Sequence, residues 1–226
     1  MPIEVCESSK LANLAAERIA EALLKTILAE GAASLALAGG TTPRAAYEAL
    51  ANLPGLDWAR VNVYFGDERA VPATHPDSNF QMAQLALFER VALPPANIHR
   101  MHADEADQDA AARAYEALLP QHISVMVLGI GEDGHTASLF PESAALNERR
   151  RRVVPVLGPK PPPQRLTVTA PVIEAAGLCI VLAAGAGKAE PVARALRGPF
   201  DVLRTPACLA RNGLWLLDPA AAAHVS

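Results

Sequence analysis

The sequence predicts an α/β protein built on a mostly parallel sheet with helices on both faces. Two observations predict it. Short apolar runs that end in glycine or polar turns alternate with longer stretches whose apolar residues recur at helical spacing, the pattern of parallel strand–helix units. Hydrophobic residues make up 51% of the chain but aromatics only 4%, so alanine and small aliphatics dominate and helices can pack closely on a sheet. A chain of 226 residues suits one α/β domain or two small ones, and we read residues 1–226 as one.

The elements follow in order. Ser8 or Ser9 is placed to cap a helix running to about Glu30, with Leu11, Leu14, Ile19, Leu23 and Ile27 on one face and Gly31 as its stop. Ser34 to Ala38 reads as a short buried strand. Gly39-Gly40 ends it, and Thr42-Pro43 opens a second helix, where the missing N–H of proline is harmless. Val61 to Phe65 is the next strand. Ser78 caps a helix through about Glu89, a weak strand is expected near residues 98–101, and residues 106–119 form an alanine-rich helix. Ile123 to Leu128 is a third strong strand. Residues 141–164 read as an irregular, proline-rich surface loop with polyproline II character, ending in Lys160-Pro-Pro-Pro-Gln164. Arg165 to Thr169 and Leu178 to Ala183 are further strands, Lys188 to Leu196 a helix, and Leu214 to Leu217 a last strand.

In such sheets ligands bind outside the carboxyl ends of the strands. Four polar, glycine-bearing loops follow strands here: Gly39-Gly40-Thr41-Thr42, Gly66-Asp67-Glu68-Arg69, Gly129 to His135, and Gly185 to Lys188. They are expected to converge on one rim.

The bulk properties narrow the function. A net charge of −4 advertises no nucleic-acid partner, and the basic run Arg149 to Arg152 reads as a solvated loop before a strand. Cys6, Cys179 and Cys208 show no metal or disulfide spacing. No signal peptide and no membrane span is evident, so a soluble cytoplasmic protein is expected.

Each loop suggests chemistry. Gly39-Gly40-Thr41-Thr42-Pro43-Arg44 is a glycine turn entering a helix N-terminus. It offers backbone N–H groups, hydroxyls and a charge to a phosphate or carboxylate, or is an ordinary helix start. No P-loop is present, because Gly187-Lys188 is followed by Ala189 and lacks the first glycine. Lys188 is either an anion-binding ammonium or a solvated one. Asp67-Glu68-Arg69, three charges after an apolar strand, must pair or meet a ligand if buried. Asp77-Ser78-Asn79 reads mainly as a turn and cap. His135 could be a base, a metal ligand, a cap or a passive side chain. Its place in a glycine-rich loop, next but one to Asp133, favours the base. Ser138 has no Gly-x-Ser-x-Gly elbow and reads as a helix turn packing inward. These residues describe an anion-binding α/β protein with a histidine base, and no metal or organic cofactor is called for.

Leu37-Ala-Gly-Gly-Thr-Thr-Pro-Arg44, Phe65-Gly-Asp-Glu-Arg69 with Ser78-Asn79, Gly129-Ile-Gly-Glu-Asp-Gly-His-Thr-Ala-Ser-Leu-Phe-Pro141 and Arg165-Leu-Thr167 occur in that order. Together they resemble the 6-phosphogluconolactonase family, from about residue 8 to 218. The resemblance implies a Rossmann-like three-layer αβα sandwich and hydrolysis of 6-phospho-D-glucono-1,5-lactone, a sugar-phosphate lactone, without cofactor. It implies His135 as the base that deprotonates water, Asp133 or Asp67 as its partner, and Arg69 as an oxyanion clamp. Gly39, Gly40, Thr41, Thr42, Arg44, Arg165 and Lys188 are the implied phosphate ligands, with Asn79 as a further substrate contact. Glucosamine-6-phosphate deaminases are similar but carry an acid five residues after the loop histidine, where this chain has Phe140, and an aromatic where it has Arg69. A sugar-phosphate sensor with an added DNA-binding domain is disfavoured by the lack of room for one. A monomer or weak homo-oligomer is expected, with no nucleic-acid or membrane partner.

Overall fold

The computed structural model describes residues 2–225. Nine strands are present among them: β1 (Ile3–Val5), β2 (Ala33–Leu37), β3 (Val61–Phe65), β4 (Asp67–Arg69), β5 (Val125–Gly129), β6 (Val153–Leu157), β7 (Gln164–Val168), β8 (Leu178–Ala183) and β9 (Leu214–Leu217). The helices are α1 (Leu11–Glu30), α2 (Thr41–Leu50), α3 (Asn79–Ala86), α4 (Gln108–Leu118), α5 (Ala170–Glu174) and α6 (Ala189–Arg197). Six strands form one parallel sheet in the order β1-β9-β8-β5-β2-β3. Strands β4, β7 and β6 form a small antiparallel sheet beside it.

The central strands are apolar along their whole length because helices flank the sheet. All five residues of β2 are buried, as are Val125 to Leu128 of β5. Helix α1 turns Leu11, Ala15, Ala16, Ile19, Leu23 and Ile27 inward, and each fully buried Leu or Ile contributes about 1.5–3 kcal/mol. It stops at Gly31, whose φ of 86° places it in the left-handed region and whose N–H bonds Ile27 O. Helix α2 is tied to β2 by Tyr47, whose buried hydroxyl accepts from the Ala38 N–H at 2.8 Å and donates to the Ala38 carbonyl at 3.1 Å.

Several expectations are corrected. Ser8 does not cap α1: its Oγ donates to Asp218 across the chain, and a 3-10 turn over Ser8–Lys10 leads into the helix. Residues 98–101 form no strand, because only Ile98 bridges to Val63. Within the expected loop 141–164, Val153–Leu157 is a strand, with Pro155 tolerated because β6 lies at the sheet edge. Ile3–Val5 pairs with β9 as an edge strand too short to carry a periodic signal. The basic run is not simply solvated: Arg149 pairs with Glu174, and Arg151 with Asp109 and Glu116.

Candidate active site

Strand β2 lies between β3 and β5, so the chain leaves it in one direction to β3 and later returns on its other side. The crevice outside its carboxyl end is where such sheets bind ligands. A cavity of about 240 Å³ lies there, lined by Ala38, Gly39, Gly40, Asp67, Arg69, Gly129 to Glu132, His135, Ala137, Lys160 and Lys188. All four loops expected at the rim contribute to it.

The loop after β5 is closed on itself. The Gly131 N–H bonds the His135 carbonyl at 2.8 Å, the Gly134 N–H bonds Gly131 O, and Thr136 Oγ1 donates to Gly129 O. Gly134 takes a φ of 94°, which lets the chain double back. Asp133 thereby reaches the histidine. Its Oδ1 lies 2.6 Å from His135 Nδ1 and also accepts the His135 backbone N–H at 3.1 Å. Burial pushes the Asp133 carboxyl up, but the His135 N–H, the charge of the ring and its hydrogen bond outweigh burial and hold it below the ordinary value. Gly131 makes this pairing possible: a Cβ there would sit 2.1 Å from His135 Nδ1 and 2.4 Å from Asp133 Oδ1. The ring also packs on Phe140, with centroids 4.7 Å apart.

Asp67 does not touch His135. Its Oδ2 accepts from Ser138 Oγ at 2.6 Å, and its Oδ1 and carbonyl accept from Asn79 Nδ2. Ser138 is fully buried, as an inward-packing residue should be, but it sits in a tight turn and not a helix. Ala137 there adopts a φ of 48°, and the Leu139 N–H bonds Thr136 O. Asn79 is buried and absent from the cavity wall. Its Oδ1 occupies the space a side chain on Gly39 would need, 2.0 Å from the position of a Cβ.

Glu68 explains how the three charges after β3 are tolerated. It is 1% exposed and accepts from Ser78 Oγ and from the backbone N–H groups of Arg69, Asn79 and Phe80. Two of those amides are the orphan donors of the first turn of α3. Burial raises the Glu68 carboxyl, and the hydrogen bonds oppose the rise. Ser78 caps the same helix through Gln81 N–H.

The basic residues separate into two groups. Arg69 lines the cavity, braced by a 2.7 Å bond from Nη1 to Asp77 O, and its Nε has no partner. Lys188 and Lys160 line it too, and neither side-chain ammonium makes an ion pair or hydrogen bond within the described residues. Arg44 instead pairs with Glu48 on the surface of α2, and Thr41, Thr42 and Arg165 lie outside the cavity wall. Arg165 is buried and bonds the carbonyls of Pro162 and Lys160. Lys160 is the residue sequence reasoning missed. Its only signal was one cation at the head of a proline run leading into β7.

A family model described as glucosamine-6-phosphate isomerases/6-phosphogluconolactonase matches residues 7–216. The chain belongs to this family. Among curated relatives, 6-phosphogluconolactonase of Streptomyces coelicolor is 39% identical, over 95% of this chain and 90% of its own. The 6-phosphogluconolactonase of Mycobacterium tuberculosis is 38% identical, covering 97% and 96%. The solved 6-phosphogluconolactonase of Trypanosoma brucei superposes with a TM-score of 0.89 at 28% identity, covering 100% of this chain and 98% of that one. A monomeric glucosamine-6-phosphate deaminase has a TM-score of 0.88 at 23% identity, a likeness of fold. Among the described residues no helix is long and apolar enough to cross a membrane, and no group of three His, Cys, Asp or Glu could hold a metal ion.

Proposed function

We propose that this family member hydrolyses 6-phospho-D-glucono-1,5-lactone to 6-phospho-D-gluconate, with His135 as general base. One observation carries the reading. His135, with Nδ1 engaged by Asp133, lines the same cavity as two unpaired lysines. The names of the relatives, close over almost the whole chain, supply the substrate class.

Asp133 accepts the Nδ1 proton, which leaves the lone pair of Nε2 free for a water. Nε2 removes a proton as the water oxygen adds to the lactone carbonyl carbon. Arg69 faces the oxyanion. The tetrahedral intermediate then collapses, the bond from carbonyl carbon to ring oxygen breaks, and the imidazolium returns its proton to that oxygen. The product acid then loses its proton to solvent to become the carboxylate, and no covalent nucleophile is needed. General-base action of this kind contributes roughly 10²–10⁴-fold. Lys160 and Lys188, with the Gly39-Gly40 turn at the N-terminus of α2, hold the phosphate. Neither ammonium is paired in the cavity, so both are available to a phosphate dianion.

Asp133, not Asp67, is the orienting acid in this reading. Asp67 anchors Ser138 and Asn79, and so links the His135 loop to the start of α3. Freshly made lactone, assayed against background with wild type and His135→Ala, tests the proposal. Enzymatic turnover should vanish in the variant, and retention of wild-type turnover would remove His135 as the base. Ammonia release from glucosamine 6-phosphate by the wild type would point to the deaminase reaction instead.

A further inference from the structure

Arg165 is a buried cation one shell away from the cavity. Its Nε donates to Pro162 O at 3.1 Å and its Nη2 to Lys160 O at 3.3 Å. The guanidinium lies over the Phe140 ring, 5.5 Å from its centroid, and Phe140 packs in turn on His135. Gly158 closes the same loop. Its N–H bonds Pro163 O at 2.7 Å, and a Cβ on it would lie 2.9 Å from Phe140 Cε2 and 3.0 Å from Arg165 Nε. The loop that presents Lys160 is thus fastened at both ends to one side chain and one ring. The Lys160 side chain itself has no partner within the described residues to hold it.

We propose that Arg165 is a positioning residue that sets Lys160 in the cavity by gripping its loop, and does not itself hold the phosphate. The inference rests on the phosphate-cradle reading of the cavity. A guanidinium suits the task because its planar fork serves two carbonyls while its face stacks on an aromatic, which a lysine cannot do. Proline at 159, 161, 162 and 163 leaves the loop few N–H groups of its own, so its carbonyls need an outside donor.

Two measurements test this. The first is a double-mutant cycle on lactone hydrolysis with Lys160→Ala, Arg165→Lys and the double variant, with Arg165→Gln run in parallel. Lys160→Ala should raise KM about tenfold or more, as expected for a lost charged contact. Arg165→Lys should raise KM several-fold with kcat within about threefold, and the double variant should be no worse than Lys160→Ala. KM effects that multiply would make Arg165 an independent ligand and overturn the proposal, as would an unchanged KM in both Arg165 variants. The second measurement needs no turnover: exchange of the Gly158 amide, bonded to Pro163 O, should quicken in folded Arg165→Lys. Unchanged exchange would overturn the grip on the loop. A wild type that fails to hydrolyse lactone would sink the lactonase reading and leave this second result to judge Arg165.

Discussion

Replacing Gly131 by alanine adds one methyl group at the point where the His135–Asp133 pair is assembled. The φ of Gly131 lies outside the left-handed region, so alanine is compatible with the backbone and the effect is purely steric. The new Cβ would stand 2.1 Å from His135 Nδ1, 2.3 Å from Cε1 and 2.4 Å from Asp133 Oδ1, whereas ordinary contact begins at 3.4 Å. The ring must therefore retreat by about 1.3 Å, and Asp133 must move with it or release it. Phe140 packs on the ring, so the retreat either disturbs that contact or carries the ring further into the cavity. A misplacement of about 1 Å at the reacting group lowers turnover by roughly 10²-fold, or about 2.7 kcal/mol in the barrier. Acid release by a pH-stat, with spontaneous hydrolysis subtracted, gives kcat. KM should stay within about threefold, since Lys160 and Lys188 are untouched. A kcat within threefold of wild type would refute the reasoning, for it would mean that the His135–Asp133 geometry does not govern the chemical step.

Other perturbations separate orientation from stability. Asp133→Asn keeps the shape of the loop but removes the charged acceptor at Nδ1, and should lower kcat by roughly 10²-fold or more with thermal stability little changed. Undiminished kcat would exclude Asp133 as the partner. Tyr47→Phe strips both Ala38 backbone groups of their buried partner, and should destabilise the fold by about 1–3 kcal/mol in urea unfolding. Burial opposes the charge on Asp218, but the N–H groups of Ala221 and Gly185 and the Ser8 hydroxyl outweigh it and hold the carboxyl below its ordinary value. Its contribution is therefore fully present above the unfolded carboxylate pKa and is lost as pH falls through the lower folded value. Asp218→Asn should flatten that acid limb of stability, and an identical limb in both proteins would refute the assignment.

The central strands were legible because burial on both faces demands unbroken apolar runs. Val61–Phe65, Leu178–Ala183 and Leu214–Leu217 are strands at the positions expected from sequence. Of the small sheet only its middle strand was legible, expected at Arg165 to Thr169 and observed as β7. Asp67–Arg69 carries three charges and becomes a strand only through a distant partner, Arg165 to Thr167, while Val153–Leu157 carries a proline and pairs with Gln164 to Val168 across a proline-rich loop that hid the hairpin. Loop convergence could be read from topology, since parallel strands send every loop to the same edge. The division of labour among the charged residues could not.

By itself the sequence determined that a parallel α/β sheet would form, and that glycine-rich loops bearing Asp67, Arg69, His135 and Lys188 would meet at its carboxyl edge. Period and punctuation are local properties, written in consecutive residues. Only the tertiary structure decided that Asp133 rather than Asp67 pairs with His135, that Glu68 caps α3, and that Lys160 enters the cavity while Arg165 stays behind it. Those outcomes depend on distances between loops separated by tens of residues, and a few ångströms decide whether a charge meets a ligand or a backbone carbonyl.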